Sequence, residues 1–345
     1  MTLWGSSLVR NFARVTISGI LFGTATLFGI NTSSAQAPKI AIIYDVGGRG
    51  DGGTDDAAAA GVDIAKKKFG LNQFSLREFV TLGTEFDRQN RIEFAVKSGY
   101  QLVIAIGPNF KNSMKTIASK FPESQYAIVD NNEIDIVTVT NLAFKEDQGS
   151  YLAGALAALS SKNGKIAFIG ESSNNQADLD EGNFFAGAKS INPKIQTFSK
   201  KLMSAVGMEV PALSKSGVDV IFSTWSKSGE VLSAVVAQNK AKRNLKYIGV
   251  TPEQFFIKAK GSAPFVIGYI NKSYQSAVLD AISSGVKGES FSDVVNEDLG
   301  TYGKSYNLSN GGTNFVATGV TGVVNQKLAQ IKAKLISGGI KPWKK

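Results

Sequence analysis

The sequence predicts two doubly wound, Rossmann-like α/β lobes joined by crossover segments. Three observations point to this class. Short apolar runs rich in β-branched residues alternate with helix-like stretches along most of the chain. The pattern restarts near Lys145, where "GKIAFIG" echoes the earlier "PKIAIIYD". Most of the apolar runs end on acidic, amide or hydroxyl residues, the place where ligands meet open α/β sheets.

Taken in order, the chain opens with Arg10 and Arg14, the apolar stretch "VTISGILFGTATLFGI" and the small-residue segment "NTSSAQAP". A basic start, a short apolar core and a small-residue end predict a secretory signal over residues 1–35, cleaved after Ala35 with Ser33 and Ala35 as the small pair. The apolar core is shorter than the roughly 20 residues of a spanning helix. "KIAIIYD" then leads into a glycine loop and a helix at about 55–69. "FSLREFV" precedes a helix at about 86–98, "LVIAIG" one at about 111–120, and "YAIVD" and "IVTVTNLAF" follow. Continuous apolar runs of this kind are buried parallel strands, and the helices between them are the crossovers. "EDQGSYLAGALAALSSK" starts the second unit as a long helix. After "GKIAFIG" come "KIQTFS", "VDVIFST", "LKYIGV" and "PFVIGYI", then the helix "SYQSAVLDAISSG". The expected division is 36–143 plus about 265–290 for the first lobe and 144–264 for the second, with about 291–345 returning across the hinge.

Composition excludes several chemistries. The 345 residues contain no cysteine and no histidine. That removes disulfides, thiolate nucleophiles, a lipidated cysteine at the cleavage site and every triad built on imidazole. The net charge of +10, falling to +8 without Arg10 and Arg14, is carried by scattered lysines and two short clusters, "KKK" at 66–68 and the tail "KPWKK". Such a spread describes a solvated surface rather than a nucleic-acid face.

Gly48-Arg49-Gly50-Asp51-Gly52-Gly53 satisfies G-x-G-x-x-G, the dinucleotide fingerprint. A dinucleotide turn offers backbone N–H groups to a pyrophosphate, yet this loop carries Asp45, Asp51, Asp55 and Asp56 against one Arg49. The acid expected about 20 residues on is Glu78, which arrives late. The favoured reading is a carboxylate-rich rim for hydroxyls or a cationic group, with a packed glycine turn as the alternative. "GKS" at 303–305 has Asp298 where a phosphate loop needs its first glycine, and "DGGTDD" lacks the calcium-loop spacing. No cofactor and no metal are expected. Phe110, Phe184 and Phe185 are expected in the core, and Trp225 either lines a cleft or packs beneath a loop.

"DVGGRGDGG", "AIVD", "NLAFKEDQGSYLAGALAA", "GKIAFIG", "FFAGAK", "VDVIF", "YIGV" and "INKSYQSAV", in that order, resemble the basic membrane protein family, the purine-nucleoside-receptor-like substrate-binding proteins of ABC importers. The resemblance covers most of 38–285 and implies a type I periplasmic binding protein fold closing on ligand at its hinge. It implies ligand roles for Asp45 at the start of the glycine loop, Asp130 at the end of the fourth strand and Lys272 near the return to the first lobe. Carboxylates accept from hydroxyl or base N–H groups, and lysine donates to a ring nitrogen or carbonyl. Departures from the family pattern are equally specific. Thr54 and Asp55 stand where the family has a stacking Phe and a base-binding Asn, and Thr251 replaces its aspartate after the "YIGV" strand. "WSKSG" brings Trp225 and Ser226 to a turn that is otherwise glycine-rich, and an indole face could serve as a different platform.

Together these features lead to a non-catalytic, exported and periplasmic receptor, expected to be a monomer, that binds a small polar, nucleoside-like solute between its lobes. Its expected partner is an ABC permease. The expected ligand residues are Asp45, Asp51, Thr54, Asp55, Asp130, Trp225, Ser226, Thr251 and Lys272. A ligand sensor of the same fold is the alternative. An enzyme acting on nucleosides or sugars through paired carboxylates is a more distant one.

Overall fold

The computed structural model describes residues 38–172, 175–250 and 261–344. The expected signal segment and Thr251 lie outside the described residues.

The first half of the chain runs β1 (Ile40–Tyr44), α1 (Thr54–Phe69), β2 (Leu76–Val80), α2 (Glu85–Lys97), β3 (Leu102–Ile106), α3 (Lys111–Lys120), β4 (Gln125–Val129) and β5 (Val139–Phe144). Next come α4 (Glu146–Ser160), β6 (Lys165–Glu171), α5 (Asn175–Ile191), β7 (Gln196–Leu202), α6 (Glu209–Lys215), β8 (Val220–Ser223), α7 (Ser228–Lys240), β9 (Lys246–Val250) and β10 (Val266–Lys272). The chain ends with α8 (Tyr274–Lys287), β11 (Asp293–Asn296), β12 (Thr301–Tyr306), β13 (Thr313–Ala317) and α9 (Gly322–Ile336).

Two mostly parallel sheets result. The first has the order β11-β12-β5-β4-β3-β1-β2, and the second β13-β10-β9-β8-β6-β7. Among the described strands only the edge pairs β11–β12 and β10–β13 run antiparallel. Alternation along β1 shows why the apolar runs are continuous. Ile40, Ile42 and Tyr44 face the core under α1 and α8, while Ala41 and Ile43 face the core under α2 and α3. A sheet covered on both faces has no solvent side to spare for polar residues. In the second sheet Ile166 and Phe168 face α4, α5 and α9, and Ala167 and Ile169 face α6 and α7. Phe110 and Phe184 are fully buried and Phe185 packs against the second core, as expected for core phenylalanines.

The 265–290 segment, expected whole in the first lobe, is divided. β10 pairs with β9 and β13 in the second sheet, and the chain then crosses at Lys272–Tyr274 so that α8 packs on α1. Residues beyond 291 divide likewise, with β11 and β12 completing the first sheet and β13 and α9 completing the second lobe. Among the described elements the chain therefore passes between lobes three times, after β5, β10 and β12. Hydrogen bonds tie the crossings together: Lys145 N–H donates to Tyr306 O at 2.8 Å, and Ser273 N–H to Gly312 O at 2.8 Å.

α4 and α5 meet at unusually close range. A Cβ on Gly154 would lie 1.8 Å from the Phe184 carbonyl oxygen, and one on Gly187 2.0 Å from that of Tyr151. Glycine is required at both points because any side chain would occupy the opposing backbone. This contact explains the small residues of "SYLAGALAA" and sets the height of α5 beside α4.

Candidate functional site

A cleft of about 540 Å³ lies between the carboxyl ends of the two sheets. Its lining includes Asp51, Thr54, Asp130 and Phe144 from the first lobe side, Lys272 and Tyr274 from a crossing, and Asp180, Trp225 and Ser226 from the second. The volume lies in the range usual for small-molecule sites.

The glycine loop contributes little free chemistry. Asp55 Oδ2 accepts from Gly48 N–H at 3.0 Å, and Asp56 accepts from Gly50 and Gly52 N–H at 2.6 and 2.7 Å. Asp51 accepts from Gly53 N–H at 2.6 Å and from the first-turn amides of Asp55 and Asp56 at 3.3 and 3.1 Å. Asp51 thereby does for α1 what a side-chain N-cap does, in place of Gly53. The amides that would hold a pyrophosphate are already occupied by the loop's own carboxylates. Arg49 is turned away to Asp63 and Glu78. Burial and the neighbouring Asp51 push the Asp55 carboxyl up to about 7, with the Gly48 N–H pulling the other way. Thr54 and Asp51 reach the cleft; Asp55, 3% exposed, is not among its lining residues.

Asp45 ends β1 outside the cleft lining as well. Its carboxylate takes Arg88 Nε and Nη2 at 3.0 and 2.7 Å, Thr81 Oγ1 at 2.8 Å and Asn109 Nδ2 at 2.9 Å. Burial works against ionisation there, but the hydrogen bonds from Arg88, Asn109 and Thr81 outweigh it and hold the carboxyl below the ordinary aspartate range.

Asp130 and Lys272 come together as a buried network. Asp130 leaves β4 in the left-handed region, φ 68°, which aspartate tolerates better than most residues. Its Oδ2 accepts from Lys272 Nζ at 2.7 Å and from Tyr274 Oη at 2.5 Å. Lys272 also donates to Glu146 Oε1 at 3.0 Å. Burial alone would lower the Lys272 ammonium, but Asp130 and Glu146 on either side hold it well above the usual lysine range. Phe144 and Tyr274 stack with ring centroids 5.2 Å apart, and the Lys272 ammonium lies 5.8 and 5.9 Å from their centres.

On the second lobe, Trp225 is 3% exposed, packs in the core beneath α6 and α7, and still borders the cleft. Ser226 donates its hydroxyl to Glu171. Asp180 lines the cleft from α5 and takes Ser150 Oγ at 3.0 Å and Gln176 Nε2 at 3.1 Å, both on Oδ1. Burial, then the neighbouring Glu146, push the Asp180 carboxyl well above the usual range. Among the described residues, no group of three or more acidic side chains is arranged to hold a metal ion.

Sequence reasoning missed Glu146, Tyr274, Phe144 and Asp180. The first three could have been found, since Phe144 closes the run "NLAF", Glu146 comes two residues after it, and Tyr274 follows "INKS". Asp180 carries no such signal, because it lies inside a helix.

Two α/β lobes threaded by three crossings, with a polar cleft between strand ends, define a two-lobed solute-binding protein of the type I periplasmic binding fold. Residues 37–334 match the family described as ABC transporter substrate-binding protein PnrA-like, and the chain belongs to that family. It is a family of binding proteins, not of enzymes. The chain is 28% identical over 316 residues to the ABC transporter nucleoside-binding protein BmpA of Lactococcus lactis subsp. cremoris, covering 88% of each. It is 30% identical over 237 residues to the CD4+ T-cell-stimulating antigen of Listeria monocytogenes, an alignment spanning 64% of this chain and 65% of the antigen. A solute-binding protein of an ABC transporter system from Aeropyrum pernix K1 superposes with a TM-score of 0.67 at 18% identity, over 88% of this chain and 92% of that one.

Proposed function

We propose that this protein captures a small polar, nucleoside-like solute by closing its two lobes and delivers it to an ABC permease. The observation that carries this reading is the cleft itself. It is lined by hydrogen-bonding carboxylates, by Lys272 and by Phe144, Tyr274 and Trp225. A flat, hydroxyl-bearing ligand has acceptors for its O–H and N–H groups there, and aromatic faces on which to rest. The nucleoside-binding relative supports the ligand class, and the three tied crossings support a hinge between lobes. Of the residues expected to bind, Thr54, Asp51, Asp130, Lys272, Trp225 and Ser226 border the cleft. Asp45 acts by anchoring the start of the glycine loop through Arg88, and Asp55 by folding that loop. Residues 1–35 serve as a cleaved export signal, which places the mature protein outside the cytoplasm.

A thermal-shift screen of residues 36–345 against nucleosides, bases, sugars, amines and amino acids tests this. A ligand that binds only the folded protein stabilises it by RT ln(1 + [L]/Kd), about 2.7 kcal/mol at a hundredfold excess. A shift with nucleosides, lost on Asp130→Ala, is expected. Flat responses to nucleosides beside a shift with another class would retain the receptor and discard the nucleoside.

A further inference from the structure

We propose that Asp180 is the second lobe's ligand-binding carboxylate and makes the cleft selective for a solute that presents a positively charged nitrogen. This rests on the reading of the cleft as the ligand site.

Asp180 stands apart from the other carboxylates there. Asp51 is spent on backbone amides, Asp130 on Lys272 and Tyr274, Glu146 on Lys272, Glu133 on Lys111, and Glu171 on Ser226. Asp180 is only 1% exposed, yet both of its donors, Ser150 and Gln176, are neutral and sit on the same oxygen. Among the described residues no donor reaches Oδ2 and no cation lies within ion-pairing distance. A buried carboxyl without a cation is costly unless a partner arrives.

The position is held firmly. Gly154 and Gly187 bring α4 and α5 into backbone contact, and Ser150 on α4 is thereby placed against Asp180 on α5. An oxygen fixed this rigidly, bare and bordering a cavity is suited to a ligand atom rather than to packing.

The titratable groups facing Asp180 are Glu146 and, across it, Lys272. Burial and Glu146 together raise the Asp180 carboxyl, and an approaching cation favours its ionised form, so proton release accompanies cation binding. A neutral ligand could instead accept a hydrogen bond from the protonated carboxyl, and the test separates the two.

Isothermal titration with two matched pairs decides the matter: adenosine against 1-methyladenosine, a cation at neutral pH, and choline against its uncharged isostere 3,3-dimethylbutan-1-ol. In at least one pair the cation is expected to bind roughly tenfold more tightly. Its binding should release a proton, seen as a heat that differs between buffers of different ionisation enthalpy. Asp180→Asn should abolish both the preference and the release; Asp180→Ser serves if that variant does not fold. Equal or better binding of the neutral partner in both pairs overturns the proposal. So does a preference that survives in the variants, or no binding of either cation at millimolar concentration. Choline preferred while both nucleosides fail keeps this inference and removes the nucleoside reading. Adenosine bound at least as tightly as its methylated cation, with choline not preferred, does the reverse.

Discussion

Two groups of carboxylates, one in the glycine loop and one at the lobe crossing, look alike in sequence and behave in opposite ways. Asp51, Asp55 and Asp56 are crowded within six residues, and every one of them accepts from a backbone amide of its own loop or helix start. Asp130, Glu146 and Asp180 come from three different elements and all border the cleft, the first two paired with Lys272 and the third held by Ser150 and Gln176. Local carboxylates can satisfy one another's neighbourhood through the backbone, so they build a turn. Distant ones are gathered by the fold and keep lone pairs that the backbone cannot reach, so they build a site.

The strongest way to break this contrast is Lys272→Met. It leaves Asp130 and Glu146 buried without their cation, and a loss of about 3–5 kcal/mol is expected in urea unfolding at pH 7. Adding Glu146→Gln should recover part of it. Asp45→Ala comes next. It strands a half-buried Arg88 and should cost about 2 kcal/mol while changing ligand affinity less than Asp130→Ala does, measured by titration on the same preparations. Asp51→Ala removes the cap on α1 and should cost about 1 kcal/mol, read as a lower urea midpoint.

The smallest effect sharpens the comparison through pH. Asp55 holds its proton up to about 7 when folded, against 3.8 when unfolded. Its contribution to stability is therefore full below the unfolded value and is lost as pH rises through about 7. Asp55→Asn keeps an acceptor for Gly48 N–H and should flatten the decline in melting temperature between pH 5.5 and 8, gaining a few degrees at the upper end. An unchanged slope would mean that the loop carboxylates do not titrate in this range.

The fold was legible because buried parallel strands must be apolar on both faces, and β1, β3, β4, β6 and β8 read as unbroken runs. The division of 265–290 was hidden, since β10 and α8 are consecutive and nothing local marks the crossing between them. At the site, the rule that ligands meet strand ends led to Asp130 and Trp225, and the family resemblance to Lys272; all three border the cleft. The same rule led to Asp45, but the partner that occupies it, Arg88, lies 43 residues away. The glycine loop was correctly denied a dinucleotide, but its carboxylates were expected to form a ligand rim, and they are taken by the loop's own amides instead. Asp180 was illegible because its role depends on how closely two helices approach.

The three crossings also bear on how the chain is made. α1 has no covering helix until α8 exists, and the first sheet is not complete until Thr301–Tyr306 pairs beside β5. A polypeptide emerging from its N-terminus must therefore wait, with its first core unsealed, until α8 and β12 have been synthesised. Contacts so distant in sequence fold slowly, and the growing chain stays loose and open to chaperones in the meantime. Interleaving the lobes thus makes the sealing of the first core depend on α8 and β12, segments far along the chain from the α1 and β1 that they complete.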